Sequence, residues 1–387
     1  MTSLLTLLAL AVWCGLLAWP LTGGASATAI GLAVGAGGGL IAIGRVAGHS
    51  ARWRAWLRGL PAAMPTLPAA WRRPLQAGAV VVLLLVPLGL NDYDVDILTL
   101  VGLYTVLGLG LNIVVGMAGL LDLGYAAFYG LGAYSYALLS VHWHLPFWLG
   151  LPVGAAVASL FGLLLGLVTL RLRGDYLAIV TLGFIQIVNL VLKNWDAVTN
   201  GPNGILNIGR PAIGAFVFSQ PIHFYYLIFA IVLLTVFVLS RLNRSRVGRA
   251  WIAIREDEIA AAAMGVHVVR YKVLAFALGA AWAGIAGVFF AGKFAFVSPE
   301  SFTFFESVFI LAIVVLGGMG SIPGVIAAAA VLVIMPELLR GIADYRMLIF
   351  GAALVLMMIF RPQGLIPNPR RTVELASPEA AEQTTPT

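Results

Sequence analysis

Phe224-Tyr-Tyr-Leu-Ile-Phe-Ala-Ile-Val-Leu-Leu-Thr-Val-Phe-Val-Leu-Ser240 runs straight into Arg241-Leu-Asn-Arg-Ser-Arg246: seventeen residues without a charge, then three arginines. An uncharged apolar run of about 17–25 residues is long enough to cross a bilayer as a helix. Arginines at its end mark the cytoplasmic side. Working outward, similar stretches occur near 3–22, 27–44, 76–90, 97–116, 122–140, 148–170, 176–192, 273–291, 303–317, 322–339 and 346–360. Several are short enough to be half-helices or re-entrant pieces. The expected fold is therefore an all-α polytopic membrane protein with roughly ten to twelve transmembrane or half-spanning helices.

Composition agrees. Of the 387 residues, 61% are hydrophobic and 10% charged, against about 25% charged in a soluble domain. The 44 glycines allow close helix approach, and the 10 tryptophans suit the membrane boundary. The net charge of +7 does not argue for nucleic acid, because the basic residues lie in short loops between apolar runs. One cysteine, Cys14, excludes an internal disulfide or thiolate cluster.

Loop charge sets the orientation. If loops alternate sides, 45–75, 171–175, 241–272 and the tail after 360 hold 18 of the 23 Lys and Arg residues, so these face the cytoplasm. Asp92, Asp94, Asp96, His142, His144 and the 194–223 loop then face outward. Met1–Pro20 with Ala25-Ser26-Ala27 resembles a signal peptide, but lacks a basic start, which favours a retained span. The 45–75 loop interleaves six arginines with Trp53, Trp56 and Trp71, which reads as a lipid-surface segment or as a topogenic charge cluster. The chain divides into an extension (1–75), a core (76–366) and a polar tail (367–387) of disordered composition.

The 241–272 loop carries the most specific local signal. Glu256, Asp257 and Glu258 open a stretch continued by Ala260, Ala261 and Met264, with Gly265 suited to end it. Carboxylates in a first turn complement the helix dipole, and glycine terminates helices. The expectation is a short cytoplasmic helix that a groove on another protein can receive.

The run Ile254-Arg-Glu-Asp-Glu-Ile-Ala-Ala-Ala-Ala-Met-Gly265, followed by Arg270-Tyr-Lys-Val-Leu-Ala-Phe276, resembles the coupling loop of LivM-type permeases of branched-chain amino acid ABC importers. Three further stretches match in order. Leu111-Asn-Ile-Val-Val-Gly-Met-Ala-Gly-Leu-Leu-Asp-Leu-Gly-Tyr125-Ala-Ala-Phe-Tyr-Gly-Leu-Gly-Ala-Tyr134 is similar to the family's first signature. Gly174-Asp-Tyr-Leu-Ala-Ile-Val-Thr-Leu-Gly183 with Thr199-Asn-Gly-Pro-Asn-Gly-Ile205 resembles its middle. Leu316-Gly-Gly-Met-Gly-Ser-Ile-Pro-Gly324 and Phe360-Arg-Pro-Gln-Gly-Leu365 resemble its end. The resemblance implies an inner-membrane subunit paired with a LivH-type permease, two LivG/LivF-type cytoplasmic ATPases and a periplasmic substrate-binding protein. It implies Arg255, Glu256, Asp257, Glu258, Ala260, Ala261, Met264 and Gly265 as the ATPase-coupling helix. Urea and short amides are solutes of similar permeases. The chain has no phosphate-binding Gly-x-x-x-x-Gly-Lys-Ser/Thr loop, consistent with separate energising subunits.

Elsewhere, Asn112, Gly116, Gly119, Asp122, Gly124 and Gly130 interrupt the apolar pattern. They read either as a loosened, pathway-facing break or as close helix packing with Asp122 capping a helix start near the cytoplasmic end of a span. The Gly317, Gly318, Gly320, Ser321 stretch echoes this break, as an internal repeat would. Tyr125, Phe128 and Tyr129, with Tyr134 and Tyr136, read as pathway-lining or as packing aromatics. Glu306, near the outer end of a span, and Glu337, in an otherwise apolar one, are open to a solute ammonium group or a binding protein, with Arg340 or Arg346 the alternative partner for Glu337. His142 and His144 are too few ligands for zinc. No nucleophile–base set is visible, so neither an enzyme nor a cofactor is expected. An ion-coupled secondary transporter would need more intramembrane carboxylates than these spans hold.

Overall fold

The structure is a computed structural model that describes residues 83–338, except 170, 171, 173 and 215, together with 351, 355 and 364–366. The spans expected near 3–22, 27–44 and 346–360, the 45–75 loop and the polar tail lie outside the described residues, apart from 351 and 355. The core divides from the extension at Val82.

A 3-10 turn, Val86–Gly89, leads into α1, Asp92–Leu111, which continues as a π-helical segment, Asn112–Met117. Asp92 and Asp94 occupy the first turn of α1, so the helix starts a turn before the expected 97, its carboxylates complementing the dipole. Then follow α2, Tyr125–Trp143; α3, Phe147–Val168; and α4, Asp175–Asn194. Next come α5, Pro221–Arg244; α6, Arg246–Glu256; α7, Glu258–Ala263; and α8, Val268–Phe294. The series ends with α9, Phe304–Gly317, and α10, Ile322–Leu338. Two small antiparallel pairs occupy the connections, Ile205–Leu206 with Phe296–Val297 and Ala212–Ile213 with Phe216–Val217. Among the described residues six helices are long and apolar enough to cross a membrane: Asp92–Met117, Phe147–Val168, Asp175–Asn194, Pro221–Arg244, Val268–Phe294 and Pro299–Gly317. The chain is a multi-pass, all-α membrane protein.

Small residues build the centre. On α3, Gly150, Gly154, Ala158, Gly162 and Gly166 recur every four residues and form a buried stripe. Leu160, Leu163, Leu164 and Leu167 lie exposed on the opposite side, as a lipid-facing surface requires. The stripe admits α8, whose own Gly279, Ala280, Ala283, Gly284 and Gly287 are buried. At the crossing, a Cβ on Gly284 would collide with the Gly154 carbonyl and sit 2.7 Å from the Ala158 Cβ. Gly284→Leu is therefore expected to destabilise the core by at least about 1–3 kcal/mol. Its purified yield and melting temperature in detergent fall sharply, whereas Gly183→Ala, with nothing within 4 Å, leaves both unchanged.

One end of α1 is clasped to one end of α8 by Lys293 Nζ and Asp96 Oδ1, 3.1 Å apart, with the Lys293 side chain 8% exposed. The other ends meet the α6–α7 connection.

Candidate functional site: a two-faced helix pair tied to two glycine breaks

The sequence pattern places Glu256, Asp257 and Glu258 together in the first turn of one helix. The structure divides them. Glu256 ends α6, Asp257 is extended (φ −154°), and Glu258 begins α7. Asp257 Oδ1 accepts the backbone N–H groups of Ile259 (2.8 Å) and Ala260 (3.0 Å), a side-chain N-cap. The correction has a local cause, because aspartate caps a helix better than it sits inside one. Ser245 caps α6 in the same way, accepting from Gly248 N at 3.2 Å. Gly265 ends the pair with φ +85°, a conformation that strains any side chain.

The two faces of this helix pair differ. Trp251 is fully buried and its Nε1 donates to the Tyr271 carbonyl at 2.7 Å. Ile254 and Ala261 are also buried. Glu258 pairs with Lys272 on α8 at 2.9 Å, where the lysine side chain is 7% exposed. The opposite face is open: Ile259 is 71% exposed and Met264 85%, and Ala260 lies exposed beside them.

Arg255 reaches from α6 into the membrane part of the fold. Its Nη1 donates to the Gly116 carbonyl at 2.6 Å, across 139 positions of sequence. Gly119, at φ +72°, packs under the same side chain, where a Cβ would lie 2.7 Å from Arg255 Cγ. Gly116 belongs to the π-helical segment, an irregular ladder often found at functional sites. Past Met117 the chain folds back, with Leu120 N donating to the Val114 carbonyl at 3.0 Å.

The two glycine breaks meet here. Asn112 Oδ1 accepts the Gly320 N–H at 2.8 Å, and a Cβ on Gly116 would lie 2.5 Å from Gly320 N. Gly318 and Gly320 take positive φ values of 102° and 84°. Gly317 packs against Gly324, and Ser321 Oγ accepts from Gly324 N at 3.2 Å. Asp122 is fully buried, with Oδ1 accepting Gly124 N–H at 2.8 Å ahead of α2, whose N-cap is Gly124 itself. The next residue, Leu123, donates its N–H to Thr181 Oγ1 on α4 at 2.9 Å. Asn112 Nδ2 and Asp122 Oδ2 are buried without a hydrogen-bond partner among the described residues.

Tyr125, Phe128 and Tyr129 are packed between helices behind the break, each at most 2% exposed. Tyr125 donates to the Gly279 carbonyl at 3.0 Å. His142 Nδ1 lies 3.0 Å from the Leu138 carbonyl, and His144 ends α2 in the left-handed region. Glu337 accepts from the Tyr93 hydroxyl. Sequence reasoning missed the Arg255–Gly116 and Glu258–Lys272 links, since neither spacing nor composition encodes contacts between segments this far apart. The π segment had one legible signal, a polar Asn112 and Gly116 inside an otherwise apolar run.

Six helices able to cross a membrane, two touching glycine breaks and a helix pair tied to one of those breaks define a multi-pass membrane protein. The family model described as branched-chain amino acid transport system, permease component, matches residues 94–358. The chain belongs to that family. It is 48% identical over 317 residues to the high-affinity branched-chain amino acid transport system permease protein LivM of Salmonella typhimurium, covering 76% of this chain and 75% of that one. Identity to LivM of Escherichia coli is also 48%, over 312 residues, 75% of this chain and 73% of the relative. The permease LivH of Escherichia coli is 26% identical over 293 residues, 70% of this chain and 93% of the relative. No solved structure matches the chain.

Proposed function

We propose that this chain is the LivM-type permease subunit of an ATP-driven importer of branched-chain amino acids in a bacterial inner membrane. A LivH-type permease pairs with it to complete the pathway. Two cytoplasmic ATPases of the LivG/LivF type supply the energy, and a periplasmic substrate-binding protein delivers the solute. The likeness to LivM supports the solute class, and the likeness to LivH supports the pairing of two related permeases.

The observation that carries the coupling role is the two-faced α6–α7 pair. One face is fixed to the membrane part through Arg255, Trp251 and Glu258. The other presents Ile259, Ala260 and Met264, apolar side chains suited to a groove on a partner. When the ATPases close on ATP, they press this pair against the fold. Arg255 passes the push to Gly116, and the Asn112–Gly320 contact passes it to the second break. Asn112, Gly116, Gly119, Asp122, Gly317, Gly318, Gly320 and Ser321 thus form the moving part of the pathway, with Tyr125, Phe128 and Tyr129 packed behind it. The two packings differ by an amount that nucleotide and the docked binding protein bias.

The double substitution Ile259→Asp, Met264→Asp tests the reading. It exchanges exposed apolar contacts for charges and leaves the buried face intact. Co-purification of the ATPase subunits is expected to fall at least tenfold, with uptake lost and permease yield unchanged. Unaltered ATPase recovery would remove the coupling role from this helix pair.

A further inference from the structure

Between the ends of α3 and α5 the exposed side chains are apolar, Leu160, Leu163 and Leu164 on one helix and Leu233, Leu234 and Phe237 on the other. Lipid tails accept such faces without further contact. The α4 helix differs. Tyr176, Ile179, Gly183, Gln186, Ile187 and Leu190 recur at three- and four-residue steps and so share one face of it. All but Gly183 are exposed, and a Cβ on Gly183 would meet nothing within 4 Å. Gln186 stands eleven residues, about 17 Å, past Asp175 and eight, about 12 Å, before Asn194. Its amide therefore lies near the middle of the span. It makes no side-chain hydrogen bond among the described residues. In the six spans no other polar side chain away from a helix end is exposed among those residues.

The opposite face of α4 is occupied. Leu177, Ala178, Thr181 and Ile185 are buried there. Thr181 Oγ1 holds the Leu123 N–H, and Asn189 Nδ2 donates to the carbonyls of Pro299 at 2.8 Å and Phe302 at 3.3 Å. These contacts fix the rotation of α4 and turn Gln186 away from the other described helices. An amide in hydrocarbon finds neither donor nor acceptor, which is costly. In membranes such side chains bond across helices, and a small residue nearby lets the helices approach. Gln186 and Gly183, one turn apart, supply both. Glutamine donates and accepts, so it complements another amide on a counterpart helix. LivH of Escherichia coli is similar to this chain over 93% of its own length. Two similar subunits that meet about an approximate two-fold axis offer each other corresponding patches.

We propose that the face of α4 centred on Gly183 and Gln186 is the surface on which the second, LivH-type permease packs, with the Gln186 amide hydrogen-bonded to a polar side chain of that partner. This rests on the pairing of two permeases proposed above. It sets the partner one helix away from the first glycine break, because Thr181 ties α4 to Leu123 beside Asp122.

The full chain is co-expressed with the second permease and the ATPases, and a photoreactive benzophenone amino acid replaces either Ile187 on this face or Leu164 on α3. Illumination of the membranes is expected to join position 187 to the second permease and position 164 to lipid alone. Adducts of position 187 with lipid alone, with a second copy of this chain or with another segment of this chain overturn the proposal. Two substitutions read the strength of the contact. Gly183→Leu is expected to lower co-purification of the second permease at least tenfold. Gln186→Leu lowers it about three- to tenfold, the range of one hydrogen bond between membrane helices. The yield and melting temperature of this chain are unchanged by either, since both positions border open space. Full recovery of the second permease with Gly183→Leu also overturns the interface. Failure of the unsubstituted chain to bring down the second permease sinks the paired-permease reading instead.

Discussion

Arg255→Gln is expected to separate ATP hydrolysis from transport. The guanidinium donates a charge-assisted hydrogen bond to the Gly116 carbonyl at 2.6 Å, a contact of about 1.5–3 kcal/mol. Gln keeps an amide donor but lacks the reach and the charge, so on the proposed coupling route the push on the helix pair no longer arrives at the π segment. Uptake in proteoliposomes falls roughly ten- to hundredfold, by the same free energy. ATPase association stays normal, because Ile259 and Met264 lie on the other face. Hydrolysis continues and loses its stimulation by the loaded binding protein. Arg255→Lys restores the charge as a point donor and recovers uptake in part. Full uptake by Arg255→Gln would show that the Gly116 contact is a static brace.

The second large effect is expected from Gly116→Val. Any side chain at 116 enters the space held by the Asn112 side chain and lies 2.5 Å from Gly320 N. Valine adds two methyl groups that drive the breaks apart, removing the hydrogen bond from Gly320 N to Asn112 Oδ1. Leaving a buried donor unpaired costs about 1–3 kcal/mol, and overpacking costs a similar amount. Uptake is expected to fall about a hundredfold, in line with that sum. The permease still binds its ATPases, because α6 and α7 are held on α8 by Trp251 and Lys272. Asn112→Ala removes the acceptor without adding bulk and gives a smaller loss. The ordering, Val at 116 worse than Ala at 112, is read from parallel uptake assays. The reverse order would mean that the Asn112 amide matters more than the spacing between the breaks.

The spans were legible because the membrane leaves the sequence little choice. Between α1 and α10 each long uncharged run became a helix, with ends within a turn or two of the apolar boundary. Backbone polar groups in hydrocarbon have only that solution. The alanine-rich stretch after Asp257 was legible as a helix, and Gly265 as its end. Its start was misplaced because three adjacent carboxylates all suit a first turn, and only cap geometry tells Asp257 from Glu256. What could not be read were contacts across the chain. Arg255 looks like any topogenic arginine, and Lys272 like a loop cation. Their contacts with Gly116 and Glu258 exist only once α1, α6, α7 and α8 are assembled. The likeness between the two glycine breaks was visible as sequence; that they touch through Asn112 and Gly320 was not.

The side of the membrane on which Met264 stands is the most direct test of the whole account. In a Cys14→Ser background, Met264→Cys is the sole thiol, and residue 264 is 85% exposed at the end of α7. A membrane-impermeant maleimide should label it in inside-out vesicles and leave it untouched in right-side-out ones, with protection when the ATPase subunits are added back. Labelling from the periplasmic side would place the helix pair beyond the reach of any nucleotide-hydrolysing partner and contradict the coupling mechanism at its root.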